Sequence, residues 1–340
     1  MQVNSKHTRE SSFELLRIVA MFFIVFYHLV TYYLYEIPDT NFHAFFTALL
    51  PTLHIGVILF VLISGYFGIK STWRGLISLL LVILVYNLPF IVYSGIGHGR
   101  WTERLMFITN TPYWFIRCYI YLYLVAPFLN KAIEQFTIRE RIGSLMAFGI
   151  VAMYFGSTQG DGALEDGKNL INFIFLYLVG NTLKMTQERW SRISYRLLGC
   201  AYIVLNASLI LSLYFTSNSS VHETIINLSF PYRSPLLLIN AVLVFMMFAK
   251  MRIHSRFINA IATSMFAVYI IHCQPMIHNL FLMKGLRIML AQKWGGQFVE
   301  MLIYTCIIMV LCVLIDKCLT PYWNWQNKIT MKFCANKKLF

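Results

Sequence analysis

The stretch LLRIVAMFFIVFYHLV, residues 15–30, is apolar enough to lie in a membrane, yet it contains Arg17 and His28. A helix needs about 20 mostly apolar residues to cross the ~30 Å hydrocarbon core of a bilayer. We therefore predict that this stretch is the middle of a spanning helix over residues 13–35. Ionisable residues within spans are costly and rare, so these two are candidates for function.

The composition of the whole chain also indicates a membrane protein. Of the 340 residues, 58% are hydrophobic and only 12% are charged, against about 25% charged residues in a soluble domain. The apolar runs lack the alternation of outer-membrane barrel strands, and only a helix satisfies its own backbone in lipid. We therefore predict an all-α fold, a polytopic membrane helical bundle of about ten transmembrane helices. The predicted spans are 13–35, 45–69, 74–95, 112–130, 143–157, 169–185, 196–216, 235–250, 257–282 and 298–319.

The net charge of +14 is distributed by side of the membrane. With a cytoplasmic N-terminus, 19 of the 28 Lys and Arg fall in predicted cytoplasmic segments and seven in predicted outer loops. This bias follows the positive-inside rule for an even number of spans, and it predicts that both termini are cytoplasmic. No basic patch interleaved with exposed aromatic residues is present in the sequence, so we predict no nucleic-acid partner.

The loops between the spans are short, so we predict a single integral membrane domain over residues 1–340. It divides into a cytoplasmic N-terminal segment (1–12), the transmembrane bundle (13–319) and a basic cytoplasmic tail (320–340). The first apolar run is too long for the core of a signal peptide, and we interpret it as the first helix. The seven cysteines lack zinc-site spacing, which predicts small buried hydrophobes and no metal.

Arg17 and His28 share one face of the first helix. Eleven residues at 100° each bring them to within about 20° of the same azimuth, with a rise of about 16.5 Å. Glu14 is three residues before Arg17 and can pair with it. Arg17 alone could reach the cytoplasmic interface as a snorkelling residue, and His28 alone could make a structural hydrogen bond. A membrane-embedded histidine is also suited to be a general base or proton relay.

The second span supplies further polar candidates. It carries His54 and ends with Ser64 and Gly65, which permit either a close helix approach or a bend. Lys70 and Arg74 follow at the cytoplasmic surface, where they could meet an anion or be solvated charges of the positive-inside pattern.

The fourth and ninth spans supply the remaining candidates. Trp114 and Arg117 begin the fourth span near its outer end. Trp114 could belong to the aromatic belt, whereas Arg117 lies deeper and needs polar partners. In the ninth span, Tyr269 and His272 precede a kink expected at Pro275.

Four segments together resemble the acyltransferase 3 family of bacterial membrane proteins. They are RIVAMFFIVFYH (17–28), FVLISGYFG (60–68), YWFIRCYIYLYLVAPFL (113–129) and SMFAVYIIHCQPMI (264–277). They occur in the family's order along nearly the whole chain. The resemblance implies a multi-pass enzyme of the bacterial cytoplasmic membrane. Such enzymes move an acyl group, usually acetyl, from cytoplasmic acyl-CoA to a hydroxyl of a cell-surface glycan or its lipid-linked precursor.

The resemblance also implies roles for particular residues. The family's paired Arg and His match Arg17 and His28, its Ser-Gly element matches Ser64 and Gly65, and its late histidine matches His272. Some members have a denser arginine cluster after the Ser-Gly element, where this chain has only Lys70 and Arg74.

On this basis we expect a donor site and an acceptor site at opposite ends of the first helix. Arg17, Lys70 and Arg74 are expected to bind acyl-CoA, with Glu14, Ser64, Gly65 and His272 in support. His28 and Arg17 are the expected catalytic residues, with His28 acting either as a general base or as an acyl carrier. Trp114, Arg117 and Tyr269 would line the acceptor side. The expected partners are acyl-CoA as co-substrate, a glycan acceptor and the lipid bilayer, with no bound cofactor. The sequence does not specify the oligomeric state.

Two other functions use the same residues. A proton-coupled transporter or flippase could employ Arg17 and His28 as a substrate site, but it predicts broken helices in two matching halves of the chain. The sequence has no such internal repeat. The second alternative, a scaffold or sensor subunit, gives no functional reason for Arg17 and His28 to share one helix face.

Overall fold

The computed structural model of the chain describes residues 10–36, 43–98, 113–154, 165–278, 283–290 and 296–333. Within these ranges the chain is helical and contains no β-strand, which confirms the predicted all-α fold. The helices are α1 (Ser11–Glu36), α2 (His43–Leu53), α3 (Gly56–Phe67), α4 (Trp73–His98), α5 (Trp114–Gln135), α6 (Ile138–Met153), α7 (Leu170–Met185), α8 (Gln187–Trp190), α9 (Tyr195–Thr216), α10 (Val221–Ser229), α11 (Pro235–Ala249), α12 (Arg256–Ala262), α13 (Met265–His272), α14 (Pro275–Ile277), α15 (Lys284–Leu290), α16 (Gln297–Cys318) and α17 (Thr320–Phe333).

Five of the described helical stretches are long and apolar enough to cross a membrane. They are Ser11–Tyr35, His43–Phe67, Trp73–Tyr93, Tyr195–Thr216 and Gln297–Cys318. Three shorter apolar stretches, Leu170–Met185, Pro235–Ala249 and Arg256–His272, match further predicted spans. The predicted spans 112–130 and 143–157 fall on α5 and α6. Residues 112, 155–157 and 279–282 of the predicted spans, 1–9 of the N-terminal segment and 334–340 of the tail lie outside the described residues.

Helix α1 is the centre of the bundle. It packs against α2, α3, α11, α12, α13 and α16. In the most apolar 18-residue stretch of α1, 56% of the residues are buried by protein, and in the stretch that covers α2 and α3 the share is 72%. The corresponding share is 22% in each of α4, α9 and α16. The last three therefore form the periphery, where their exposed apolar side chains are suited to lipid, whereas polar residues of α1 contact protein.

The second predicted span is two helices, although the sequence predicted one continuous helix over 45–69. Pro51 lies inside α2 and has no N–H to donate, which weakens the helix at this point. The chain turns at His54 and Ile55 before α3 begins. This break places the His54 side chain at a junction rather than on a continuous helix face.

The ninth predicted span is also interrupted. The kink expected at Pro275 is confirmed, because α13 ends at His272 and α14 begins at Pro275. The Gln274 side chain accepts hydrogen bonds from the backbone N–H groups of Met276 and Ile277, which caps the new helix start. A further interruption separates α12 from α13 at 263–264.

Helices α3 and α7 cross in close contact through two glycines. A Cβ atom on Gly65 would overlap the Tyr177 carbonyl oxygen, and one on Gly180 would overlap the Leu62 carbonyl oxygen. Of the two alternatives for the Ser-Gly element, close helix approach is therefore the one observed at Gly65.

Candidate active site

Two histidines from distant parts of the chain are in direct contact. The Nδ1 atom of His28, on α1, lies 3.0 Å from Nε2 of His272, on α13. His272 Nδ1 lies 2.6 Å from the carbonyl oxygen of Val268, one helical turn earlier. His272 is fully buried, and His28 is half-buried. The contact thus forms a chain of three groups, from His28 through His272 to a backbone carbonyl.

These hydrogen-bonded groups determine which nitrogen of each neutral histidine ring carries the proton. A carbonyl oxygen can only accept a hydrogen bond, so His272 Nδ1 is the donor and Nε2 of the neutral ring carries a lone pair. His28 Nδ1 must then donate to His272 Nε2, which leaves the lone pair of His28 on Nε2. No described residue makes a hydrogen bond to His28 Nε2. The site therefore holds a base with its free nitrogen directed by two other groups.

His28 lines a small aromatic cavity of about 30 Å³. Trp114 and Tyr232 contact each other in its wall, with ring centroids 4.9 Å apart. The cavity is lined by Ile24, Tyr27, His28, Leu53, His54, Val57, Trp114, Tyr232 and Tyr269. Its size and aromatic wall suit the end of a ligand with both apolar faces and polar edges.

A second, larger cavity of about 340 Å³ extends toward Arg17. Its lining residues are Glu14, Arg17, Met21, Ile24, Phe60, Ser64, Leu79, Phe115, Tyr119, Ala262, Thr263, Met265, Phe266 and Tyr269. Ile24 and Tyr269 line both cavities, so the two adjoin along α1. The predicted common face of Arg17 and His28 is thus the face that lines both cavities.

The predicted ion pair between Arg17 and Glu14 is present. Arg17 Nη1 lies 2.6 Å from Glu14 Oε1. The Glu14 side chain is 7% exposed, and that of Arg17 is 33% exposed. Because a guanidinium has five N–H donors, Arg17 keeps donors for a further anion in the cavity. The Glu14 carboxylate balances the charge of Arg17 within the bundle.

The other predicted donor-side residues have different environments. Ser64 lines the larger cavity, and its hydroxyl donates to the Phe60 carbonyl oxygen at 2.9 Å. Lys70 is exposed, just after α3, and Arg74 is half-buried at the start of α4. Neither of these two residues lines the cavity that contains Arg17. Their part in donor binding stays a prediction.

Two of the three predicted acceptor-side residues line the cavity at His28. Trp114 and Tyr269 both belong to its wall. Tyr269 also contacts the His272 ring, with centroids 5.9 Å apart. Arg117 is half-buried on α5 and is not among the residues that line either cavity. The geometry brings Trp114 and Tyr269, but not Arg117, to His28.

A cysteine lies beside the histidine pair. Cys273 Sγ is 3.4 Å from His272 Nε2, and with His28 Nδ1 these potential metal ligands lie within 4.8 Å of one another. A structural zinc site has four protein ligands and a catalytic one has three. Here a hydrogen bond already pairs the two nitrogens, and a metal ion would have to replace it. We therefore interpret the pair as a hydrogen-bonded unit.

The sequence gives no signal for the groups that surround His54. Tyr27, Tyr232 and the carbonyl of Phe230 surround His54 at the helix break. In the sequence, Phe230 and Tyr232 belong to a polar outer loop without any motif. Only the break after Pro51 and the return of that loop into the bundle bring them to the site.

Comparison with protein families identifies the chain. A family model described as an acyltransferase domain, Acyl_transf_3, matches residues 10–317. The chain belongs to the acyltransferase 3 family. No curated protein and no solved structure matches it. Membership of the acyltransferase 3 family makes this a multi-pass membrane protein with an acyltransferase domain, and it favours acyl transfer over the transporter alternative.

Proposed function

We propose that this protein is an O-acetyltransferase of the bacterial cytoplasmic membrane. It would transfer an acetyl group from cytoplasmic acetyl-CoA to a hydroxyl of a cell-surface glycan or its lipid-linked precursor. The observation that supports the proposal is the contact of His28 Nδ1 with His272 Nε2, which leaves His28 Nε2 available on a ring that lines an aromatic cavity. This cavity adjoins the cavity of Arg17.

The larger cavity is proposed to receive the donor. Arg17 presents planar N–H donors that suit a phosphate or the thioester oxygen. Lys70 and Arg74 would meet the CoA phosphates near the cytoplasmic surface. The pantetheine arm would then extend past Met21 and Ile24 toward His28, over a helix rise of about 16.5 Å.

The aromatic cavity is proposed to receive the acceptor. Trp114 and Tyr232 offer ring faces, and Tyr269 lies where the two cavities adjoin. Aromatic faces pack against the apolar faces of sugars while hydroxyls reach polar edges. Arg117 is proposed as a further acceptor-side residue at the outer end of α5.

The proposed chemistry uses the free nitrogen of His28. As general base, Nε2 takes the proton from the acceptor hydroxyl while its oxygen attacks the thioester carbonyl carbon. Collapse of the tetrahedral intermediate breaks the C–S bond, and the proton passes from His28 to the CoA thiolate. In the alternative route, Nε2 attacks the thioester carbon, the C–S bond breaks and CoA leaves as the thiolate. The acceptor hydroxyl then attacks the acyl group on His28, the N–C bond breaks, and the hydroxyl proton passes to the CoA thiolate. In both routes the His28 ring becomes cationic, and the Nδ1 hydrogen bond to His272 stabilises that form.

The decisive test replaces His28 by Ala in the producing cell. We expect the surface glycans to lose the mass increment of each acetyl group, as measured by mass spectrometry, while the protein still inserts into the membrane. A matched control is His222→Ala, at the start of α10 and outside both cavities, which should leave acetylation unchanged. Retained acetylation in the His28 variant would rule out the catalytic assignment.

A further inference from the structure

His54 lies at the break between α2 and α3, and a hydrogen bond to a backbone carbonyl determines its tautomer. Its Nδ1 atom lies 2.7 Å from the carbonyl oxygen of Phe230. Since that oxygen only accepts, Nδ1 carries the proton, and Nε2 of the neutral ring carries the lone pair. Histidine Nδ1 therefore has a structural role here, which leaves Nε2 for another partner.

Two tyrosines fix the orientation of the His54 ring. Tyr27 stacks on it with centroids 4.4 Å apart and ring planes at 1°. Tyr232 packs at 4.0 Å with a tilt of 53°. Three contacts, the Phe230 carbonyl and the two rings, thus hold Nε2 in one direction. Such fixed placement is what a group that selects a substrate requires.

His54 and His28 belong to the wall of the same cavity, and the Nε2 atom of each neutral ring carries a lone pair. Both rings line the 30 Å³ cavity, and no described residue makes a hydrogen bond to the Nε2 atom of either ring. An acceptor in the wall of a cavity forms a hydrogen bond when a ligand or water supplies the donor. A ligand that satisfies both nitrogens carries two hydroxyl groups, and hydroxyls on neighbouring carbons lie close enough together to share a cavity of this size.

We infer that His54 determines acceptor specificity by accepting a hydrogen bond from the hydroxyl next to the one that is acylated. The inference rests on the proposed function, in which His28 takes the proton of the reacting hydroxyl. His54 takes no proton in the reaction; its Nε2 accepts the neighbouring hydroxyl before and during transfer. The substrate class is a glycan with free hydroxyls on adjacent carbons, acylated at one of them.

Two variants separate the structural and the cavity-facing nitrogen of His54. His54→Asn places an N–H donor near the position of Nδ1, so it keeps the bond to Phe230 and removes the cavity acceptor. His54→Gln places its amide oxygen near the position of Nε2, so it keeps the acceptor and loses the bond to Phe230. A purely structural histidine predicts that the Asn variant is active and the Gln variant is not.

The experiment uses membranes containing each full-length variant, acetyl-CoA and the saponified surface glycan of the producing cell. We expect the Gln variant to transfer acetyl at least about tenfold faster than the Asn variant, because only the former accepts the second hydroxyl. The KM for acetyl-CoA should be the same in both. Nuclear magnetic resonance of the native glycan should show each acetylated carbon next to a carbon that bears a hydroxyl.

Three outcomes would overturn the inference. The first is a Gln-to-Asn rate ratio near one, whether both variants are active or both inactive. The second is a ratio in the opposite direction, and the third is an acetylated carbon with no neighbouring hydroxyl in the native glycan. Failure of the proposed function has a different signature: the wild-type protein itself would transfer no acetyl group, and the inference would fail with it.

Discussion

At the scale of single residues, the site depends on how His272 holds His28. In many hydrolases a carboxylate orients the catalytic histidine and stabilises its cationic form. Here the neutral imidazole of His272 orients His28 through the 3.0 Å contact between His28 Nδ1 and His272 Nε2. The Val268 carbonyl oxygen in turn orients the His272 ring. Because His272 carries no formal negative charge, we interpret its contribution as positioning more than charge stabilisation.

His272→Ala should therefore lower the acetyl-transfer rate by about 10–100-fold, a range typical of lost outer-shell partners. The reason is that His28 loses the partner that selects its tautomer. The KM for acetyl-CoA should change little, because Arg17 and the larger cavity are untouched. His272→Gln offers an amide oxygen to His28 Nδ1 and should recover part of the rate. Equal rates for the two variants would contradict a tautomer-setting role.

Arg17→Lys tests whether the cation binds the donor through planar geometry. Lysine keeps the charge and can still reach Glu14, but it lacks the paired donors of a guanidinium. We expect the KM for acetyl-CoA to rise by about tenfold or more, since hydrogen bonds to charged groups are worth roughly 1.5–3 kcal/mol. Steady-state kinetics in membranes would measure it. Arg139→Lys, exposed on α6, is the control, and an unchanged KM in the Arg17 variant would mean that charge alone suffices.

At the scale of helices, two breaks and one close crossing build the site. The break after Pro51 presents His54, and the break before Pro275 ends α13 at His272. The α3–α7 crossing at Gly65 and Gly180 holds α3, whose Ser64 and Phe60 line the larger cavity. Helix interruptions in a membrane protein are tolerated where other protein groups satisfy the freed backbone.

Gly65→Ala should destabilise the protein, because the added methyl group meets the backbone of Tyr177. Overpacking of this kind costs about 1–3 kcal/mol, and the helices must separate to relieve it. Thermal unfolding in detergent would measure the loss. Gly143→Ala, on α6 with no atom within 4 Å of the new Cβ, should be neutral or slightly stabilising through helix propensity. Equal stability of both variants would show that the crossing tolerates a wider spacing.

At the scale of the whole molecule, buried α1 carries a polar row through a shell of apolar helices. Protein buries only 22% of the most apolar stretch in each of three helices, α4, α9 and α16. These helices are therefore placed to contact lipid. The charge distribution predicts that the Arg17 end of α1 faces the cytoplasm. Donor and acceptor would then reach the histidine pair from opposite sides, with Ile24 and Tyr269 between them.

This orientation can be measured with single cysteines in a cysteine-free background. Ser191, after α8, and Ser219, after α9, are both exposed. Because basic residues surround Ser191, we predict that Ser191→Cys faces the cytoplasm and that Ser219→Cys, at the other end of α9, faces outward. A membrane-impermeant maleimide should label the second variant in intact cells and the first only after permeabilisation. The reverse labelling would invert the assignment of donor and acceptor sides.

The sequence alone determined the features that arise from local periodicity and composition. Helical spans follow from the length of apolar runs. The common face of Arg17 and His28, and the reach of Glu14 to Arg17, follow from 3.6 residues per turn. The kink at Pro275 follows from its missing N–H. The family resemblance rested on the same segments, and the match to residues 10–317 confirms it.

Only the tertiary structure decided which groups meet. His28 and His272 are 244 residues apart in the chain, and His54 meets the Phe230 carbonyl across 176 residues. Neither contact has a signature in the sequence, because each depends on where helices break and how closely they cross. The acceptor-side role of Arg117 stays a prediction: its depth in a span is visible in the sequence, but depth does not determine the direction of a side chain, and Arg117 lines neither cavity. Periodicity specifies a face of one helix, and packing between helices determines what that face contacts.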